Sequence, residues 1–154
     1  MSNHEMSSTQ VAETHRTWFY DTINAQEITR SMTELGFKCE IRASLRGMSG
    51  SSHTFDIVCR GSTSRIAIDF FIEGAADQAE LEMVRARAKF YDCSPDLGII
   101  VFLRKMSNEV SDLAKFYRFR AIEATDSIEI CSKLMELLKE SDILENGILT
   151  TSPN

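Results

Sequence analysis

The chain has 154 residues, of which 43% are hydrophobic, and carries a formal net charge of −6 with a pI of about 5.1. This length favours one domain spanning 1–154, with a core over about 24–140 and loose termini at 1–10 and 146–154. The acidic balance argues against a protein that coats nucleic acid through bulk charge, but it is compatible with a local basic patch or a metal site.

Other sequence features bear on where in the cell the protein is expected to be. The sequence contains no run of eighteen apolar residues, and its N-terminal stretch MSNHEMSSTQ lacks the apolar segment of a secretory signal. We therefore expect a cytoplasmic protein with no membrane partner. The cysteines form no CxxC pair and lie in apolar or mixed segments, which predicts buried free thiols. These cysteines are Cys39, Cys59, Cys93 and Cys131.

The first predicted elements are helical. Residues 11–23 predict a short helix, and a clearer helix begins at Asn24 and ends before Gly36, where a positive φ costs least. The apolar face of this second helix consists of Ile28, Met32 and Leu35.

Three strands joined by short polar loops follow. Alternation of apolar and polar residues predicts strands over 37–45 and 54–60, and RIAIDFFIE predicts a third over 65–73. The glycine-containing loop over 46–53 and the turn over 61–64 connect them. This arrangement predicts an antiparallel meander.

The second half of the chain alternates helices and strands. A stripe of Leu81, Val84, Ala88 and Tyr91 predicts a helix over 76–91, and the apolar run 97–103 predicts a central strand. A helix after Ser107, a short strand over 119–124 and a helix with an apolar face that includes Ile128, Cys131, Met135 and Leu138 complete the chain. Because strands linked through a helix are usually parallel, the order predicts an α/β three-layer sandwich with a central mixed β-sheet flanked by helices.

Two aspartates fall within these predicted strands. If the strands pair through the turn at 61–64, facing residues have numbers that sum to about 125, which places Asp56 opposite Asp69. Two carboxylates so close repel unless they share a proton or a cation. Mg²⁺ is a cation that prefers carboxylate oxygens and water, so Asp56 and Asp69 are predicted metal ligands. The competing interpretations are a vestigial pair that holds only a salt bridge or hydrogen bonds, for example between Asp69 and Arg65 or Arg60, and two aspartates that are simply exposed at the surface.

The segments LGFKCEIRA, SGSSHTFDIV, RIAIDFFIE and LGIIVF, in this order, resemble the PD-(D/E)xK nuclease superfamily. Within it, the resemblance is to Mrr-like restriction-endonuclease domains and extends over about residues 25–124. The resemblance implies a restriction-endonuclease-like fold, with Asp56 and Asp69 as catalytic acids that bind the metal. The family lysine falls two residues after the second acid, where this chain has Phe71.

A relocated basic residue is required if the site is active. Since some members of the superfamily carry the lysine on the following helix, Lys89 and Arg85 are candidates for this catalytic role, and Arg65 is another. Phenylalanine at 71 can neither orient water nor stabilise charge on a phosphate.

Basic residues on the meander suggest a separate contact with nucleic acid. Arg42, Arg46, Arg60 and Arg65 are predicted to share one rim with Lys38 and to contact phosphates, although a solvated strand face explains the same pattern.

Three functional hypotheses follow from the sequence. The first is a catalytically degenerate nuclease-fold domain that binds nucleic acid or a protein partner, which the missing lysine and the acidic pI favour. The second is an active Mg²⁺-dependent DNA endonuclease with a relocated base. The third is a non-enzymatic scaffold or a homodimerisation module, suggested by the hydrophobic residues of 11–23 and 128–148.

Overall fold

The computed structural model describes residues 25–71, 76–103, 105–141 and 143. Within them the helices are α1 (Ala25–Glu34), α2 (Ala76–Cys93), α3 (Asn108–Tyr117) and α4 (Ser127–Glu140). The strands are β1 (Lys38–Arg46), β2 (Ser52–Arg60), β3 (Arg65–Phe71), β4 (Leu97–Phe102) and β5 (Arg120–Glu123). The helix predicted over 11–23 and both predicted loose termini lie outside the described residues.

The described strands form one mixed sheet in the order β1-β2-β3-β4-β5. β1, β2 and β3 pair antiparallel, as the short loops predicted, whereas β3, β4 and β5 pair parallel. The parallel connections pass through α2 and α3, because parallel neighbours need a crossover long enough to hold a helix. No helix in the described part of the chain is long and apolar enough to cross a bilayer.

Helices cover both faces of this sheet. Ile28 of α1 and Leu134 of α4 pack on one face, and Met83 of α2 and Val110 of α3 pack on the other. The predicted α/β sandwich with a central mixed sheet flanked by helices is therefore confirmed.

Along the β1–β2 hairpin, the buried side chains change from one face of the sheet to the other about halfway along the strands. The paired residues Ile41 and Ile57 pack with α1 and α4, whereas the next such pair, Ala43 and Phe55, packs with α2 and α3. Arg42, between them, has a φ of 54°, in the left-handed region that few non-glycine residues adopt. Strict alternation of apolar and polar residues over 54–60 predicts that Phe55 and Ile57 share a face. This is wrong, because the hairpin departs from regular strand geometry at Arg42.

The apolar stripe predicted for α2 is its solvent face. Leu81, Val84 and Tyr91 are 50%, 48% and 78% exposed, respectively. The residues of α2 that pack on the sheet are Ala79, Met83, Ala86, Phe90 and Cys93. The helix carries two apolar stripes, and helical periodicity alone does not decide which of them meets the sheet. In α4 likewise, Ile128 is 77% exposed although its spacing predicted a core position.

A disulfide joins Cys39 and Cys59, which are directly paired across β1 and β2 with Cα atoms 4.1 Å apart. The prediction of free thiols is therefore wrong for this pair. A separation of 20 residues gives no sign of such a bond, whereas the register of the hairpin brings the two side chains together. Cys93 and Cys131 are free, as predicted.

Asp92, near the end of α2, links the helix to the β1–β2 loop through side-chain hydrogen bonds. Its carboxylate accepts hydrogen bonds from the Ser49 backbone N–H at 2.8 Å and the Ser49 hydroxyl at 2.6 Å, and lies 2.8 Å from His53 Nε2. A Cβ at Gly47 would lie 1.9 Å from Asp92 Oδ2, so this approach requires glycine. The hydrogen bonds from Ser49 hold the pKa of Asp92 below its usual value. The contact fixes α2 relative to β2.

The orientation of α2 predicts different costs for truncating its two apolar stripes. Met83→Ala removes a fully buried side chain and is expected to lower the free energy of unfolding by about 2–5 kcal/mol. Leu81→Ala, on the same helix, is expected to change it by less than about 0.5 kcal/mol. Urea denaturation of both variants measures the difference. Equal losses, or a larger loss at Leu81, would contradict this orientation.

Candidate active site

The register of β2 and β3 brings Asp56 and Asp69 together. Paired residues run from Arg60 with Arg65 to Ile57 with Ile68, and the numbers of each pair sum to 125. Asp56 and Asp69 come next in this register, as predicted from the turn. The backbone N–H of Asp56 donates to Asp69 Oδ1 at 3.1 Å, which confirms that the two residues are adjacent.

The carboxylates of Asp56 and Asp69 accept hydrogen bonds from backbone N–H groups where the pairing of β2 with β3 ends. Asp56 Oδ2 accepts the Phe70 N–H at 2.8 Å, while Asp69 Oδ1 accepts the Asp56 N–H. Each side chain thus bonds the opposite strand at the point where backbone pairing between β2 and β3 stops. Asp56 is 5% exposed, and this pairing helps to offset the cost of burying its carboxylate.

Lys89 of α2 supplies the cation that faces this pair. Its Nζ lies 2.5 Å from Asp69 Oδ2 and 4.5 Å from the centre of the Phe55 ring. Phe55 in turn stacks against Phe90 with ring centres 5.7 Å apart. The side chains of Lys89 and Asp69 are only 25% and 15% exposed, so solvent screens the ion pair weakly. The face exchange at Phe55 is what places an aromatic ring under the ammonium group.

The other candidates for the missing lysine do not reach the aspartates. Arg85 is mostly exposed, and its guanidinium lies 3.2 Å from Glu82 on the same helix. Arg65 donates to the backbone carbonyl of Cys93. Arg85 lies one helical turn before Lys89, and that turn places its guanidinium in solvent. Of the three predicted replacements, the structure brings Lys89 alone to the carboxylates.

Phe71 fills the position of the family lysine with an apolar group. It is 6% exposed and packs against Phe102 with ring centres 5.3 Å apart, on the same sheet face as α2. The ammonium group beside Asp69 therefore comes from Lys89 of α2, and the side chain at position 71 of β3 belongs to the core.

The electrostatics of the pair centre on Asp69. Burial raises the pKa of its carboxyl above the usual value; the ammonium of Lys89 works against this, and the nearby charge of Asp56 adds to it. Burial outweighs the salt bridge because little water reaches the site. A divalent cation in front of both carboxylates would relieve the same cost.

The described residues limit how a metal ion is held. Within ranges 25–71, 76–103 and 105–141, no group of three or more histidine, cysteine, aspartate or glutamate side chains is arranged to bind a metal. Two carboxylates nevertheless suit Mg²⁺, which keeps several waters and binds proteins through one or two carboxylates together with substrate phosphates. The number and type of the side chains Asp56 and Asp69 are therefore compatible with this cation.

The arginines predicted to share one rim do not do so. Arg60 pairs with Arg65 on one side and with Lys38 on the other, forming a basic group at one end of the hairpin. Arg46 pairs with Ser52 at the opposite end of β1, about 27 Å away at ~3.4 Å per residue. Arg42 lies between these ends and is exposed. A nine-residue strand is too long for one rim to hold both ends.

Comparisons with known proteins give a likeness of fold. No family model and no curated protein matches the chain. A protein of unknown function, AF1548, is 16% identical with a TM-score of 0.52, over 71% of this chain and 64% of that one. A repair endonuclease from Pyrococcus abyssi is 14% identical with a TM-score of 0.43, over 80% of this chain and 49% of that one. The chain thus spans less than two thirds of either protein, and the likeness to AF1548 shows a shared α/β fold.

The raised pKa of Asp69 predicts a pH-dependent stability. In the unfolded chain its pKa is about 3.9, so its contribution to folding is fully present below that pH and is lost as pH rises through the higher folded-state value. Asp69→Asn keeps an oxygen for the Asp56 N–H but does not ionise. The stability of the wild type relative to this variant should therefore fall as pH rises from about 3 through the folded-state pKa.

Urea denaturation at a series of pH values without divalent metal measures this difference. Asp112→Asn, which removes an exposed carboxylate from α3, serves as the control for net charge. A wild type that gains stability over Asp69→Asn with rising pH would show that Lys89 dominates over burial, contrary to the expectation.

Proposed function

We propose that this chain is a divalent-metal-dependent phosphodiesterase that cleaves DNA internally, with Asp56 and Asp69 as metal ligands and Lys89 as the catalytic lysine. The observation that carries the proposal is the 2.5 Å contact between Lys89 Nζ and Asp69 Oδ2, beside a second carboxylate. Three elements each contribute one charged side chain there: β2 contributes Asp56, β3 contributes Asp69 and α2 contributes Lys89. Two acids and one ammonium group suit the hydrolysis of a phosphodiester.

Each residue has a distinct role in this mechanism. Asp56 and Asp69 would hold Mg²⁺, which would supply Lewis-acid chemistry and lower the pKa of a bound water. Lys89 donates a hydrogen bond to the attacking water or to a phosphate oxygen and stabilises the negative charge that develops. Phe55 supports the Lys89 ammonium from below, and the mostly buried setting strengthens its charge interactions.

The sequence resemblance supports the same assignment. Asp56 and Asp69 occupy the two acidic positions of the PD-(D/E)xK pattern, and Phe71 occupies that of its lysine. Lys89, on the helix that follows β3, reaches Asp69 and supplies a positive charge beside it. The charge therefore comes from a different position in the sequence than the lysine of the pattern.

A degenerate site is the second candidate function. Both carboxylates already accept backbone N–H groups, and Asp69 is also paired with Lys89. In that case the domain binds nucleic acid or a protein partner without cleaving a substrate. The apolar solvent face of α2, with Leu81 and Tyr91, is the feature that favours a protein partner or a homodimer.

Cleavage assays decide between these two functions. With Mg²⁺ or Mn²⁺, the wild type is expected to nick or cut supercoiled plasmid or single-stranded DNA. Asp56→Asn, Asp69→Asn and Lys89→Met are each expected to lower the rate by about 100-fold or more, since each removes a metal ligand or a charge at the reacting phosphate.

Arg85→Gln is the matched control, because it removes a positive charge from α2 one turn from Lys89, and it should retain activity. Asp56→Asn and Asp69→Asn should also lose the rise in melting temperature that divalent metal gives the wild type. Lys89→Met should retain that rise, because it removes no metal ligand. Activity that survives Lys89→Met would exclude the lysine assignment. A wild type that neither cleaves DNA nor responds to either metal would establish the degenerate site.

A further inference from the structure

A second site lies beyond the carboxylates, at the edge of the sheet where β4 and β5 begin. A cavity of about 470 Å³ opens there between the end of α2, the start of β4 and the chain that leaves α3 for β5. This volume lies within the range of about 300–1,000 Å³ that is typical of small-ligand sites. We call it the arginine–aromatic pocket, and its chemistry comes from Arg87, Tyr91, Phe116, Tyr117, Arg118 and Arg120.

The charge of this pocket opposes that of the whole chain. Arg87, Arg118 and Arg120 line it, against a single lining carboxylate, Asp96. That carboxylate is already engaged, since Asp96 Oδ2 accepts the Arg65 backbone N–H at 2.7 Å. On a chain with a net charge of −6, a pocket lined by three arginines is a local attraction for anions.

The pocket also presents aromatic rings to solvent. Tyr91 is 78% exposed and Phe116 76% exposed, and both line the opening. Deeper in, Phe90 and Phe119 pack edge to face with ring centres 5.4 Å apart and form a rigid floor. Exposed aromatic rings at the mouth of a concave, positively charged site indicate a ligand that stacks.

Contacts within the protein position the Arg87 side chain and the Arg118 backbone. The Arg87 guanidinium lies 4.7 Å from the centre of the Tyr117 ring, which fixes its charge at the wall of the pocket. Arg118 ends α3 with a φ of 61°, and its backbone N–H bonds to the last turn of the helix. Glycine or asparagine is the usual residue in this conformation, so arginine there carries a conformational cost of the kind that is retained at binding sites.

We infer that the arginine–aromatic pocket binds single-stranded nucleic acid, with bases stacked on Tyr91 and Phe116 and phosphates paired with Arg118 and Arg120. Stacking platforms interleaved with cationic groups are the chemistry by which proteins hold unpaired strands. A duplex does not satisfy the pocket, because its base faces are already stacked on one another. The inference rests on the proposed function for its substrate class, since the helix that carries Lys89 also carries Arg87 and Tyr91.

Fluorescence anisotropy of a labelled 12-nucleotide oligothymidylate, measured in EDTA so that no cleavage occurs, tests this site. Tyr91→Ala and Phe116→Ala are each expected to weaken binding about tenfold, the loss typical of a stacked base. The double variant Arg118→Gln with Arg120→Gln should reduce the slope of log affinity against log salt by about 1.4, from the loss of two phosphate contacts on a single strand.

Matched controls separate the pocket from general surface effects. Ile128→Ala removes an apolar side chain that is 77% exposed on α4, and Arg30→Gln removes an exposed charge from α1. Both should bind as the wild type does. Unlabelled single strand should displace the probe at least tenfold more effectively than duplex of the same length.

The inference is overturned if the aromatic variants bind like Ile128→Ala, if the salt slope is unchanged in the arginine variant, or if duplex competes as well as single strand. Its failure differs from failure of the proposed function. Absence of cleavage with pocket-dependent binding of the oligonucleotide would remove the catalytic proposal alone. Cleavage that is insensitive to Tyr91→Ala and Phe116→Ala, together with unchanged binding, would remove the pocket alone.

Discussion

The ion pair between Lys89 and Asp69 is the interaction on which the site's chemistry depends. Strand register places two carboxylates side by side, and burial makes both charges costly. The ammonium from α2 offsets part of that cost and leaves Asp69 with a raised pKa. The position of α2 is therefore a chemical constraint, and it is set by the packing of the helix on the sheet together with the hydrogen bonds of Asp92 to the β1–β2 loop.

The sequence predicted the carboxylate pair because short antiparallel connections fix register. The turn over 61–64 leaves little choice of pairing between β2 and β3, so the facing of Asp56 and Asp69 follows from counting residues. Lys89 was one of three candidates for the missing lysine. Sequence alone cannot choose among them, since Arg85 and Lys89 lie one turn apart on one side of α2 and only the distance along the helix separates them.

The errors share a physical origin in features that need a tertiary partner. α2 has apolar residues on both sides, so the choice between Leu81 and Met83 as the buried side is made by the sheet beneath. Strict alternation in β2 misplaced Phe55, because a left-handed Arg42 turns the hairpin at that point. The arginine–aromatic pocket joins segments of α2, β4, α3 and β5, and local pattern carries no signal for such contacts. The disulfide depends on the exact register of β1 and β2, which the longer loop between these strands does not fix.

The two sites are connected by packed aromatic rings. Phe90 stacks on Phe55, which lies beneath the Lys89 ammonium, and the same Phe90 contributes to the floor of the arginine–aromatic pocket. A Cβ on Gly98 would lie 2.9 Å from the Phe90 ring, so glycine in β4 is what allows this ring its place. Since α2 supplies Lys89 on one side of Phe90 and Tyr91 on the other, any shift of the helix moves both. A strand held in the pocket, as inferred above, would therefore be positioned by the same helix that carries Lys89, the lysine proposed to be catalytic.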